Sequence, residues 1–296
     1  MPHIARAADP PAIIRVGNVA SDTYAEPFYF EAAGMAKKYG ITLNVTTFAS
    51  NAAIGSAVAA GALDAGVADM LMIANGFNHG IPFAVIAAGG QYSPQNPNLY
   101  ICTAKSSPYH TAKDFEGQAI GVPTLVSSIA FTATKAWFIK NGADPEKLHF
   151  VEMPFATMAA AISRGQVAAA VITEPFLSQI PDNVKMFADP YEAIGKHFLI
   201  SEWFTMRDWT TRYPDVAKRL VSAIYDTARW ANANQAQSGA ILATRSKLDP
   251  DRVKSMRRTE YATSLDPKML EPVLTSALRY KTIEREIKPS DIIVKI

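Results

Sequence analysis

The first half of this chain is written twice, and that repeat constrains the fold more than any other feature. Arg15-Val16-Gly17-Asn18 and Ala119-Ile120-Gly121-Val122 each read as a short apolar strand running into a loop. Residues 54–61 and 158–165 are Ala-rich and helical in pattern, closed by glycine and followed by another apolar strand. Gly17 and Gly121 lie 104 residues apart, as do Gly61 and Gly165. Between these anchors Tyr39-Gly40 closes one helix and Asn141-Gly142 its counterpart, with Leu43-Asn44-Val45 and Leu148-His149-Phe150 following. A strand–helix–strand–helix–strand unit met twice predicts two similar α/β lobes, and two lobes make a cleft.

A chain of 296 residues can fill one large core or two modest ones. Its 49% hydrophobic and 19% charged content fits a packed protein and argues against extensive disorder. A net charge of +2 with no Lys/Arg run excludes charge-driven nucleic-acid binding, and Arg257-Arg258 reads as a solvated helix face. Cys102, the only cysteine, allows no internal disulfide and no thiolate cluster; within the apolar stretch 99–103 it reads as an inert buried thiol. No apolar run is long enough to span a bilayer. Residues 1–11 lack the apolar stretch of a secretory signal, which leaves a cytosolic protein or one whose leader has been removed. The prolines at 2, 10 and 11 predict a flexible arm.

Strand 13–19 leads through the Ser21-Asp22 turn into one helix, 26–39, stopped by Gly40. Strand 43–48 is followed by Ser50-Asn51 as the cap of the Ala-rich helix. Strand 65–68 ends at Asp69, expected to cap a helix running to His79, and 83–88 is another strand. Residues 98–104 read as a strand leaving the first lobe, 184–188 as a further strand, and 198–206 as the return. From Pro214 the pattern is helical, with Val216, Leu220, Ile224 and Ala228 three to four apart; another helix is expected over 267–279. These last helices have no sheet of their own and are expected to pack on the first lobe. The fold class is α/β, with mixed sheets flanked by helices.

The chain has no glycine-rich phosphate loop, nucleophile elbow or dinucleotide fingerprint. Its five histidines are scattered without ligand spacing, so no metal is expected. Asp64 reads as a residue of the tight turn after Gly61, and Asp69 as a helix cap, rather than as an acid/base pair. No catalytic residue and no cofactor are expected. What remains are polar groups at the carboxyl ends of strands, the edge where open α/β sheets take ligands beside helix N-termini. Four loops qualify: Ser21-Asp22, Ser50-Asn51, Asp69-Met70, and the run Thr124-Leu125-Val126-Ser127-Ser128. The last precedes a helix from Ile129, which makes its hydroxyls and amides candidate oxyanion donors.

The stretch 60–69 (Ala-Gly-Ala-Leu-Asp-Ala-Gly-Val-Ala-Asp), Asp114-Phe115-Glu116-Gly117 with the strand after it, and 165–176 ending in Glu174-Pro175-Phe176 resemble the substrate-binding proteins of bacterial ABC importers. The group is the one containing nitrate, sulfonate, taurine and thiamine-precursor binders (NMT1/THI5-like), and Arg212-Tyr213-Pro214-Asp215-Val216 is similar too. The resemblance covers nearly the whole chain. It implies a type II periplasmic binding fold: 1–103 plus 199–296 as one lobe, 104–198 as the other, crossings near Thr103-Ala104 and Phe198-Leu199, and a ligand enclosed by hinge motion. It also implies a monomer in the periplasm, a membrane permease with its ATPase as partners, and no chemistry. Carried over by position, the ligand loops gain Tyr92 and Glu174, with Tyr24, Phe28 and Phe155 as aromatic walls. The candidate loops hold no arginine or lysine. The expected ligand is a small organic sulfonate or carboxylate, aromatic in one version, bound by Ser50, Asn51, Thr124, Ser127 and Ser128. The alternative is an amino-pyrimidine received by Asp22, Asp69 and Glu174. A ligand sensor and a pyrimidine-synthase-like enzyme are competing functions; the synthases' cysteine-rich motif is missing here.

Overall fold

The computed structural model describes residues 12–296; the arm expected before them lies outside the described residues. The sequence repeat is a repeat of sheets. Strands β1 (Ala12–Val19), β2 (Ile41–Phe48) and β3 (Ala65–Ala68) pair in parallel in the order β2-β1-β3. With β4 (Phe83–Ala88), β5 (Gly90–Tyr92) and β6 (Leu99–Ala104) between, the pattern recurs in β7 (Ala119–Val122), β8 (His149–Glu152) and β9 (Ala169–Thr173), ordered β8-β7-β9. The last strands are β10 (Val184–Ala188), β11 (Phe198–Leu199), β12 (Glu202–Met206) and β13 (Glu260–Tyr261). Each parallel trio is extended by two antiparallel neighbours, giving β2-β1-β3-β12-β4 and β8-β7-β9-β6-β10.

The paired glycines explain why the repeat is visible. Gly61 and Gly165 hold φ of 70° and 68°, the left-handed conformation that ends a helix at least cost in glycine. Gly17 and Gly121 occupy equivalent places on β1 and β7, and each lies under crowded neighbours. A Cβ on Gly17 would come within 2.6 Å of Leu63, and one on Gly121 within 2.9 Å of the Ala170 methyl.

Several expectations change. Strand β6 lies inside the second sheet between β9 and β10, so the chain crosses before it, at β5, and not near Thr103-Ala104. The expected division 1–103/104–198 therefore cuts off a strand that pairs with the second unit. The return passes through β11, which pairs with β5, while β13 closes the other side of this three-stranded crossing. The single helix expected over 26–39 is broken into Glu26–Tyr29 and Met35–Tyr39 by Gly34 at φ 77°. Finally, Arg257-Arg258 is not a solvated helix face. Arg258 is almost buried and pairs with Asp22 at 2.9 Å, while the backbone N–H of Arg257 donates to Glu174.

The helix Pro214–Ala233 packs on the first sheet, as its apolar stripe requires. The helix Glu271–Arg279 touches both Met70–Asn78 and Ile129–Lys140, so it bridges the two units rather than resting on one.

Candidate ligand-binding site

The carboxyl edge of the first sheet gathers three of the expected residues. Ser50 accepts the Ala53 N–H at 3.3 Å and opens the helix Asn51–Ala59. Asp69 accepts the Met72 N–H at 2.9 Å and opens the helix Met70–Asn78. Asn51, between them, donates through Nδ2 to the Tyr24 hydroxyl at 3.2 Å and to the Asp69 carboxylate at 3.1 Å. Tyr24, Asn51 and Asp69 are thus one network, with Met70 buried beside it.

A fourth residue joins them. Because β12 runs antiparallel to β3 and β4, its first residue, Glu202, lies opposite Ala68 and Ala88 at this same edge. Glu202 is fully buried and, among the described residues, neither of its carboxyl oxygens has a partner; Asn51 Oδ1 is likewise buried and unpartnered. A buried polar group without a partner costs its full desolvation, about 1–3 kcal/mol and more for a charge. Burial pushes the Asp69 carboxyl up to about 6 against the pull of its hydrogen bonds. It drives Glu202 well above the carboxylate range, with Asp69 adding to the effect. The Tyr24 phenol rises for the same two reasons. Among the described residues no arginine or lysine acts on Asp69, Glu202 or Tyr24.

The equivalent edge of the second sheet is differently filled. In the loop after β7, the Thr124 hydroxyl and the Leu125 N–H both donate to Glu152 at the end of β8, at 2.9 and 2.6 Å. Those hydrogen bonds hold the Glu152 carboxyl below its ordinary range. Ser128 caps Ile129–Lys140 by accepting the Phe131 N–H, Ser127 sits at φ 52°, and Val126 is exposed. An internal carboxylate therefore takes donors that the sequence offers to an external oxyanion. Apolar contact is continuous between the two edges: Ala68 and Met70 share one buried cluster with Val122, Ile129 and Ala130.

Other expected residues are committed elsewhere. Asp22 is buried and receives Arg258, the Thr259 N–H and the Tyr29 hydroxyl, and Ser21 makes no capping bond beside it. Tyr92 donates to Asp189 at 2.8 Å and packs with Tyr191 and Phe198 in the crossing. Glu174 accepts from Ser178 and from the Arg257 N–H. Phe155 stacks on Phe176, and Phe28 lies under Arg245 on the outer face. Asp64 binds Arg15, backbone and guanidinium, instead of serving its own turn. Arg257-Arg258-Thr259 thus straps the Asp22 turn to the Glu174 turn.

The sequence reading missed Glu202 and this strap. Glu202 had a signal, the lone charged residue in the stretch 198–206; the strap had none, since its partners lie more than 80 residues away. Two surface cavities, of about 630 and 720 Å³, lie elsewhere, one around Phe28 and Arg245, the other between Ile139 and Tyr280.

A family model described as the NMT1-like family matches residues 7–244. No curated protein sequence matches the chain. Among solved structures, the periplasmic aliphatic sulphonate binding protein SsuA from Escherichia coli superposes with a TM-score of 0.79 at 15% identity, covering 96% of this chain and 92% of that one. The periplasmic nitrate-binding protein NrtA from Synechocystis PCC 6803 gives 0.76 at 15%, covering 95% and 84%. The desulfurization enzyme DSZB gives 0.69 at 13%, covering 95% and 96%. At these identities the likeness establishes the fold, which is that of the periplasmic binding proteins.

Proposed function

Because this chain belongs to the NMT1-like family, we propose that it is the solute-binding component of an ABC importer. It takes one small organic molecule between its two sheet edges and presents it to a membrane permease and its ATPase. On this reading it works as a monomer in the periplasm. The observation that carries the proposal is the Tyr24–Asn51–Asp69 network: polar groups from three separate loops meet at the strand ends of a duplicated fold. A binding role is supported over a catalytic one by the binding proteins among its structural neighbours. Cys102 gives no support to a thiol nucleophile, since burial pushes it up to about 12.

Two ligand classes compete. A sulfonate or carboxylate is favoured by the helix N-termini at Asn51, Met70 and Ile129. An N–H-bearing ring, such as an amino-pyrimidine, is favoured by the acceptors Asp69 and Glu202, on which no arginine or lysine among the described residues acts. The second accounts for more of the buried groups. A thermal-shift screen across sulfonates, carboxylates, nitrate, bicarbonate and amino-heterocycles tests the proposal, because a ligand of the native state alone must raise Tm. A shift with the compound recovered unchanged supports a binding protein; conversion of the compound refutes it.

A further inference from the structure

We propose that the ligand presents an N–H donor group, of ammonium or amidinium type, to Glu202 and Asn51, rather than an oxyanion; this rests on the solute-binding reading above. Three acceptor atoms from segments 151 residues apart meet at the edge without partners: both Glu202 oxygens and Asn51 Oδ1. The orientation of Asn51 is forced. Its nitrogen is held by Asp69 and Tyr24, and turning the amide over would set its oxygen against the Asp69 carboxylate. The carbonyl oxygen is therefore left free as an acceptor.

The titratable groups acting on Glu202 and its neighbours are Asp69, Tyr24 and Tyr191, all acidic when they ionise. An oxyanion would meet like charge and more acceptors. A planar pair of N–H groups instead matches the free carboxylate of Glu202 two-on-two, the geometry of the strongest charge-assisted pairs. At the second edge, Glu152 already holds Thr124 and Leu125, which leaves fewer donors there for an anion. Burial raises the Glu202 carboxyl, and a cation docking there favours its ionised form. Affinity for such a cation then rises with pH, up to the ligand's own titration.

Four probes on one ring test this: benzamidine and benzylamine against benzenesulfonate and benzoate, with wild type and Glu202→Gln. The expected result is a Tm increase with the two nitrogen bases, and about ten- to hundredfold weaker benzamidine binding in Glu202→Gln. The unliganded Glu202→Gln protein should melt no lower than wild type, because no bond within the protein is lost; a purely structural glutamate would fail that test. The inference is overturned if neither base shifts Tm, if the anions bind and Glu202→Gln leaves them unaffected, or if unliganded Glu202→Gln melts several degrees lower. Anion binding without conversion would leave the solute-binding reading standing, whereas conversion of a bound probe would remove that reading instead.

Discussion

Replacing Asp22 by alanine separates a ligand residue from an anchor. The Asp22 carboxylate faces Arg258 at 2.9 Å and also accepts the Thr259 N–H and the Tyr29 hydroxyl; the two ion-pair side chains are 2% and 10% exposed. Asp22→Ala leaves the guanidinium buried without its countercharge and strips two further donors of their acceptor. Breaking a buried pair from one side costs about 3–5 kcal/mol. For a chain of this size that is a fall in Tm of roughly 5–8 °C. Asp22→Asn keeps the shape and part of the hydrogen bonding, so it should fall in between. The assay is urea unfolding with ligand titration on the same samples. Stability should drop while the affinity of the remaining folded protein stays within about twofold, since no Asp22 oxygen is free to meet a solute. Unchanged stability with lost affinity would refute the reasoning and return Asp22 to the ligand loops.

Glu26 is buried, bonded only to Trp203 at 2.6 Å, and its carboxyl is pushed from 4.5 up to about 8. Its neutral form stabilises the fold fully below pH 4.5, and that contribution is lost as pH rises through 8. Urea unfolding should therefore show Glu26→Gln gaining on wild type between pH 5 and pH 9, by up to about 4 kcal/mol; parallel pH profiles would contradict this. Gly66→Ala would put a methyl 2.5 Å from Ile54 and 2.7 Å from Phe204, and should cost about 1–3 kcal/mol in thermal unfolding. Ser128→Ala removes a helix cap and should cost about 1 kcal/mol of stability, with ligand affinity measured by calorimetry unchanged.

The strand trios and the glycines that end their helices were legible because the repeat is local: each anchor needs only its neighbours to show its role. The caps at Ser50 and Asp69 were legible for the same reason. Of the expected site, Tyr24, Asn51 and Asp69 meet, and each lies on a loop directly after a parallel strand or at the start of the helix that follows. Asp22 enters the expected site as a polar group after a strand and Glu174 through the family resemblance, and neither ground shows whether the carboxylate is already taken. Their partners, Arg258 and Arg257, are recruited from more than 80 residues away by the tertiary fold. The crossing was misplaced because β6 has the same apolar pattern whichever sheet it joins. Only its pairing with β9 and β10 assigns it. Glu202 escaped because its place at the ligand edge follows from the antiparallel pairing of β12 with β3 and β4, which its local sequence does not specify.

The most direct test of the account is a crystal structure of the protein with the compound that raises Tm most. The account predicts one unaltered molecule between the two sheet edges, with nitrogen donors within hydrogen-bond distance of Glu202 and Asn51. A ligand seated instead in the cavity beside Phe28 and Arg245, or in the one beside Tyr280, would contradict it.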